Sequence, residues 1–357
     1  LKISGETFPD DITSDGLSLE IKKSHVQLNG QVSVGDIPAD IKYISGFGKE
    51  GNTITPRIEG KILISENIFN TLQDDTGNDW LSGSAPAFVF VDFPSNQNPT
   101  FRLTSNLQGL EIRLPEIGWK KNQNEFASLE VFGNINHGLQ YDKFIISGED
   151  LEVIGTVSDN ETVILERLFR DGILDVSGLV SKDGLKITGG EFNLANYLKI
   201  IELNSEKNEG IPITVDLDTI HVTDSFYIDN FSTNFFSDRI NGHFYGLFMG
   251  VDPISGSFTS NSGISTVEIL SKDAGTFLQV AGLIKKGAEG SLRLSINRKQ
   301  KNIEGRLLTE DLKIYDLPAL AKLLQALSII GLLEQMLGQG LFLDESDINF
   351  RLDEGQY

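Results

Sequence analysis

The chain of 357 residues contains no cysteine. That removes disulfides, thiolate nucleophiles and Cys-ligated zinc. It fixes no compartment, because proteins of oxidising compartments also go without cysteine. Histidine is scarce: His25, His137, His221 and His243 lie far apart and form neither a His-x-His nor an HExxH spacing. Positive charge is short as well, with 30 Lys and Arg against 51 Asp and Glu and a net charge of −21. This argues against a nucleic-acid partner, since such binders need basic patches. It argues equally against docking on anionic headgroups by charge alone. The acidity reads as solvated outer faces that keep a β-rich chain in solution. No apolar run reaches the ~18 uninterrupted residues of a membrane-spanning helix.

Reaction signatures are also missing. Nothing matches G-x-S-x-G, and the Gly-rich pieces SGSAPA and TGGEF lack the strand-loop-helix context and the lysine of a phosphate loop. The acidic pairs Asp10-Asp11, Asp74-Asp75, Glu149-Asp150 and Asp353-Glu354 are what 51 acidic residues give by chance. A glycosidase would need two carboxylates facing each other across a cleft. Asp216-Leu217-Asp218 lacks the further oxygen ligands of a calcium loop. The expectation is a chain without catalytic residues, metal or cofactor.

What is present is alternation. Leu17, Leu19 and Ile21 alternate with polar residues, as do Leu110, Ile112 and Leu114; Ile213, Val215 and Leu217; and Leu292, Leu294 and Ile296. A period of two predicts antiparallel strands with one apolar and one solvated face. The 36 glycines recur between or inside these runs, often as apolar-x-Gly (VQLNGQVSV, LEVIGTV, NIEGRLL), which predicts bulges or bends and hence a curved sheet. No fixed repeat period is visible, which argues against propellers and short-period solenoids. Shorter helices are predicted at 65–73 and 194–203. The polar segment 204–210 marks the best seam, dividing 1–205 from 206–357.

One long helical signal stands out at 317–337. Asp316 sits at an N-cap position and Pro318 in the first turn. Leu320, Leu323, Leu324, Leu327, Ile330, Leu333 and Leu337 follow at spacings of three and four, and Gly338 and Gly340 end it. Lys322, Gln325, Ser328, Gln335 and Gln339 form one narrow polar stripe. Such a helix is expected to lie against a large apolar surface.

That surface is the common face of the strands. On periodicity alone an ordinary sandwich core is favoured, each sheet covering the other. The second reading is one long curved antiparallel sheet folded into an elongated groove. Acyl chains are the natural filling of such a groove, at about 0.8 kcal/mol per buried CH₂.

Three segments bear on this choice. VQLNGQVSVGDIPADIKYI carries Gly30, Gly35, Pro38, Ala39 and Ile41. RIEGKILISENIFNTLQ precedes FRLTSNLQGLEIRLPEIGWKKNQNE, with Ser105, Leu107, Gly109, Leu110, Leu114, Pro115, Gly118, Trp119, Lys120 and Lys121. The C-terminal stretch carries Pro318, Leu320, Ala321, Leu323, Leu324, Gly338, Gly340 and Phe342. In this order they resemble the AsmA-like/YhdP-type (TamB-related) bacterial envelope proteins of the bridge-like lipid-transfer group. The chain departs from that pattern in stopping one strand after the Gly-x-Gly turn and in lacking the N-terminal membrane anchor. With no n-region or h-region at Leu1, both ends are expected to be cuts in something longer.

The resemblance implies a β-taco groove: a non-enzymatic conduit carrying phospholipid or another acyl lipid across the periplasm, between the inner and outer membranes. It implies a central region at 1–205 and a C-terminal region at 206–357, an inner-membrane anchor outside this chain, and membrane proteins as partners at the groove ends. On that reading the lipid-facing residues are expected among Leu19, Ile21, Val32, Val34, Ile62, Ile64, Phe88, Phe90, Ile112, Leu114, Val215, Leu217, Leu292 and Leu294. The helix at 317–337 is expected to plug or gate the groove through Leu320, Leu323, Leu324, Leu327, Ile330 and Leu333. The alternative is an envelope scaffold or assembly protein that receives a partner strand on a sheet edge.

Overall fold

The structure is a computed structural model describing residues 2–3, 12–35, 37–51, 53–65, 80–136, 138–158, 162–200, 210–237, 239–261, 264–299, 302–316 and 341–352. The helices expected at 317–337, with Leu320, Leu323, Leu324, Leu327, Ile330 and Leu333, and at 65–73 (all but its first residue) lie outside the described residues. The chain is mainly β and divides into two compact units, Leu1–Lys182 and Asp183–Tyr357. The composition of 204–210 had suggested a later seam, at 205/206.

In the first unit the strands are β1 (Lys2–Ile3), β2 (Ile12–Thr13), β3 (Leu17–Ile21), β4 (His25–Val34), β5 (Ile37–Gly46), β6 (Arg57–Ser65), β7 (Leu81–Asp92) and β8 (Thr100–Ser105). They continue with β9 (Leu110–Leu114), β10 (Trp119–Lys121), β11 (Ser128–Ile135), β12 (Leu139–Ser147), β13 (Leu151–Ser158), β14 (Thr162–Arg170) and β15 (Leu174–Ser181). A single antiparallel ladder runs β4-β5-β6-β7-β8-β11-β12-β13-β14-β15, with β2 and β3 both on the free side of β4. Most of these neighbours follow one another in sequence, so short turns suffice to build the meander.

β9 and β10 do not join that ladder. They pair with each other, and β9 pairs with the first three residues of β7. Left-handed turns steer the segment: Gly109 has φ +101°, and Gly118 has φ +60° after a 3₁₀ turn at Pro115–Ile117. A Cβ at Gly109 would run into the Ser84 carbonyl oxygen, so only glycine lets the two backbones meet there. The result is a flap that lies over part of the sheet.

The second unit comprises β16 (Gly184–Asn193), β17 (Pro212–His221), β18 (Tyr227–Phe236), β19 (Asn241–Phe248), β20 (Asp252–Asn261), β21 (Ile264–Ser271), β22 (Lys286–Ala288), β23 (Ser291–Lys299), β24 (Asn302–Asp316) and β25 (Leu341–Leu352). Its ladder runs β16-β17-β18-β19-β20-β21-β23-β24-β25, with β22 alongside the end of β24. The sheet is mixed, not wholly antiparallel as the alternation predicts, because β16 and β17 are parallel. The helix Leu194–Ile200 opens the connection between them, and a crossover of this kind returns the chain to the end it left.

Among the described residues no strand pairing closes either ladder on itself. None of the described helices is long and apolar enough to cross a membrane.

Candidate functional site

Directly paired residues in an antiparallel ladder share a face, so register alone sorts the side chains. In the first unit one row reads Gly30, Ile41, Gly60, Val89, Leu103, Val131, Phe144, Gly155, Leu165 and Gly178. The row beside it reads Val32, Ala39, Ile62, Ala87, Ser105, Leu129, Ile146, Val153, Leu168 and Val176. In the second unit Val215, Thr233, Phe244, Gly256, Ile269, Leu294 and Leu307 form a corresponding row. Each unit thus presents one continuous apolar face across its strands.

The opposite faces carry charge. Arg57 pairs with Asp92 at 2.9 Å, Lys143 with Glu166 at 2.8 Å, Arg293 with Glu268 at 3.1 Å, and Arg306 with Asp347 at 2.7 Å. Arg167 reaches both Glu152 at 2.5 Å and Asp175 at 2.7 Å. Lys143 and Glu166 reach across β13, the other partners lie on adjacent strands, and all remain at least one-third exposed, where each pair contributes only about 0.2–1 kcal/mol. Their larger effect is to keep this side wet and the other side inward. An open cavity of about 570 Å³ lies on the charged side of the first unit, among Phe88, Arg102, Thr104, Phe126 and Glu130.

The apolar face is unevenly covered. The flap buries one end of it: Leu110, Ile112 and Trp119 pack on Ile64, Leu81, Ala85, Ala87, Ala127 and Leu151. Lys121 holds the flap together from inside. It is 2 % exposed, and its Nζ donates to the carbonyls of Leu110 at 2.9 Å and Asn122 at 3.1 Å. Burial pushes its ammonium below the usual lysine range. Beyond that buried patch, Ile41, Val89, Val131 and Phe144 are only half-buried, Val89 and Val131 against a second small cluster of Val91, Phe101 and Ile135; Leu103, packed at the edge of the flap's core, is half-buried too. In the second unit the helix Ala274–Val280 covers one end, capped by Asp273, which accepts from the Thr276 N–H at 3.0 Å. Its Phe277 stacks on Phe248 with ring centroids 4.4 Å apart. Beside that stack, paired with Phe248, Asp252 is 2 % exposed, with one carboxylate oxygen unpartnered. Burial raises its pKa above the usual aspartate range, against a hydrogen bond from Ser271.

The register places most of the expected residues on the apolar faces. Val32, Val34, Ile62 and Ile64 share that of the first unit, and Val215, Leu217, Leu292 and Leu294 that of the second. Leu19 and Ile21 are on the same face at its first strand, 61 % and 69 % exposed. Phe88 and Phe90 are not. They pair with Lys61 and Glu59 on the charged side, where Arg102 lies over the Phe90 ring at 5.3 Å. Residues 87–91 are apolar throughout, so alternation cannot set their parity; Ala87, Val89 and Val91 take the inner positions. Ile112 and Leu114 belong to the flap that covers the face, not to the sheet that forms it.

The sequence reading missed a recurring pair. Phe101 faces Gly133, Phe144 faces Gly155, Phe258 faces Gly242, Phe244 faces Gly256 and Phe350 faces Gly305, each directly across a strand boundary on the apolar face. At Gly133, Gly155, Gly256 and Gly305 the phenylalanine ring lies where a glycine Cβ would be, and at Gly242 the ring comes within 3.0 Å of that point. The apolar-x-Gly pattern predicts bulges or bends at these glycines. Gly133 and Gly155 do sit at register shifts, whereas Gly256 and Gly305 sit in regular register.

Among the described residues no group of three or more His, Cys, Asp or Glu could hold a metal ion. The three described histidines are dispersed. His221 pairs with Glu191 at 3.7 Å, His25 contacts Ser24, and the His243 backbone carbonyl accepts from Thr233. No protein-family model, curated protein or solved structure matches this chain.

Proposed function

We propose that the chain is a non-enzymatic lipid-binding conduit whose apolar faces hold the acyl chains of phospholipid, the sheets curling to form a groove. One observation carries this reading. The central row of the first unit is apolar across successive strands, yet Ile41, Val89, Leu103, Val131 and Phe144 remain only half-buried, although the flap buries Ile64, Ala85 and Ala87 at the neighbouring end. A water-soluble protein does not keep a contiguous apolar strip open without an occupant. Hydrocarbon is the occupant that such a strip selects, because it offers area without hydrogen-bonding groups and the backbone is already paired strand to strand. No bond is made or broken: the face replaces bilayer hydrocarbon around the chains while headgroups stay in water.

The motif resemblance supports a place in the periplasm, between inner and outer membranes, with membrane proteins at the ends of the conduit. Site-specific photocrosslinking tests the reading. A photoreactive residue at Leu103 or Leu294 should capture phospholipid in cells, whereas Thr104 or Ser295, one residue away on the other face, should not. Equal capture at both parities, or none at either, would overturn it. The second reading, a scaffold that receives a partner strand, is favoured by one feature: β25 pairs with β24 on one side, and no strand is described on its other. It predicts protein crosslinks along β25 and no lipid at Leu103.

A further inference from the structure

Phe144 and Phe350 are among the largest side chains on the two apolar faces, and both lie down. The Phe144 ring occupies the volume above Gly155, and the Phe350 ring the volume above Gly305. At these two glycines the three atoms nearest an added Cβ all belong to the facing ring, and neither φ lies in the left-handed region. Backbone geometry therefore does not demand glycine there; the ring does. At Gly256 and Gly133, by contrast, a backbone carbonyl would also be in the way. A ring resting on a residue without a side chain adds apolar area without adding height. Without the glycine it must swing up from the sheet, into the space above Val131 and Leu165 in one unit and Ile296 in the other.

We propose that Phe144–Gly155 and Phe350–Gly305 are levelling pairs, which hold the apolar face low so that an extended acyl chain can lie across successive strands. This rests on the reading of that face as a lipid site and specifies its ligand: an unbranched hydrocarbon chain held by area along a flat floor, not a compact molecule held in a pocket. The two glycines are then specificity-determining positions, acting through the height of their partner rings.

The test uses the whole chain and a pyrene-labelled phosphatidylglycerol as probe. Gly155→Ala and Gly305→Ala should keep the wild-type circular dichroism and lose about tenfold in affinity, the scale of one overpacked side chain. Phe144→Leu/Gly155→Ala, which removes the ring that alanine would lift, should recover most of the affinity that Gly155→Ala loses. If Gly155→Ala and Gly305→Ala fold and bind as wild type does, or if the double variant binds as poorly as Gly155→Ala, the levelling pairs are refuted. Should Gly155→Ala fail to fold, Gly305→Ala and the double variant decide alone. A wild-type chain that binds no probe overturns the lipid reading instead. The pairs themselves are then checked by the ring-current shift of the Gly155 and Gly305 Hα protons, which should lie upfield; unshifted protons would mean that the rings do not lie there.

Discussion

Trp119 donates its indole N–H to the Asp150 carboxylate at 2.9 Å, tying the flap to the turn between β12 and β13. The other carboxylate oxygen of Asp150 is ion-paired with Arg170, whose Nε is buried and unpartnered. One aspartate thus anchors the cover and neutralises a largely buried guanidinium. Trp119→Phe keeps most of the apolar contact and loses the bond, so stability should fall by about 1 kcal/mol. Asp150→Asn can still accept from the indole but leaves Arg170 without its counter-charge, and should cost more, ~2 kcal/mol after allowance for the exposed aspartate. Urea titration of both variants checks the order. Trp119→Phe as the costlier of the two would contradict it.

Lys121 is buried for its bonds to the Leu110 and Asn122 carbonyls, not for a salt bridge. Lys121→Met matches its length without donors and leaves those carbonyls unsatisfied. The expected loss is about 2 kcal/mol, with faster amide exchange confined to the flap. An equally stable methionine variant would show that the two bonds hold nothing.

Asp252 should make the second unit less stable as pH rises. Its folded pKa is raised above the unfolded value, so the native state binds the extra proton between those two values. The stabilising contribution is complete below the unfolded pKa, about 3.9, and is lost as pH rises through the folded one. Asp252→Asn keeps an acceptor for Ser271 without the charge. It should stabilise by about 1 kcal/mol at pH 7, and the gain should vanish in acid. Thermal melts at two pH values read the sign; a gain that grows in acid would contradict it.

Leu103 and Thr104 are adjacent and face opposite ways. Leu103→Glu places an unpaired carboxylate on the half-buried apolar row, and stability and lipid content should both drop, the former by ~1–3 kcal/mol. Thr104→Glu should change stability by less than about 0.5 kcal/mol and leave lipid content alone. Equal effects at the two positions would mean that the faces are not distinct.

The β class was legible because a period of two is a local property, and Leu17, Leu19 and Ile21 or Leu292, Leu294 and Ile296 display it within one strand. Facing was legible only where polar residues intervene. At Phe88 and Phe90 the run is apolar on both sides, and parity came from the pairing of Ala87 with Ile62, which no local pattern encodes. Ile112 and Leu114 alternate as well as any sheet strand does, yet the left-handed turns at Gly109 and Gly118 fold them over the sheet. The parallel pair had a signal that was read only in part: a helix at 194–203 between two alternating strands is the mark of a crossover. The Phe–Gly pairs had none, since Phe144 and Gly155 meet through register between two strands.

Mass spectrometry of an organic extract of the purified chain, beside the Leu103→Glu variant, tests the central claim most directly. The account predicts phospholipid retained through purification by the wild-type chain and depleted in the variant. A wild-type chain that is folded, monodisperse and free of lipid would contradict it.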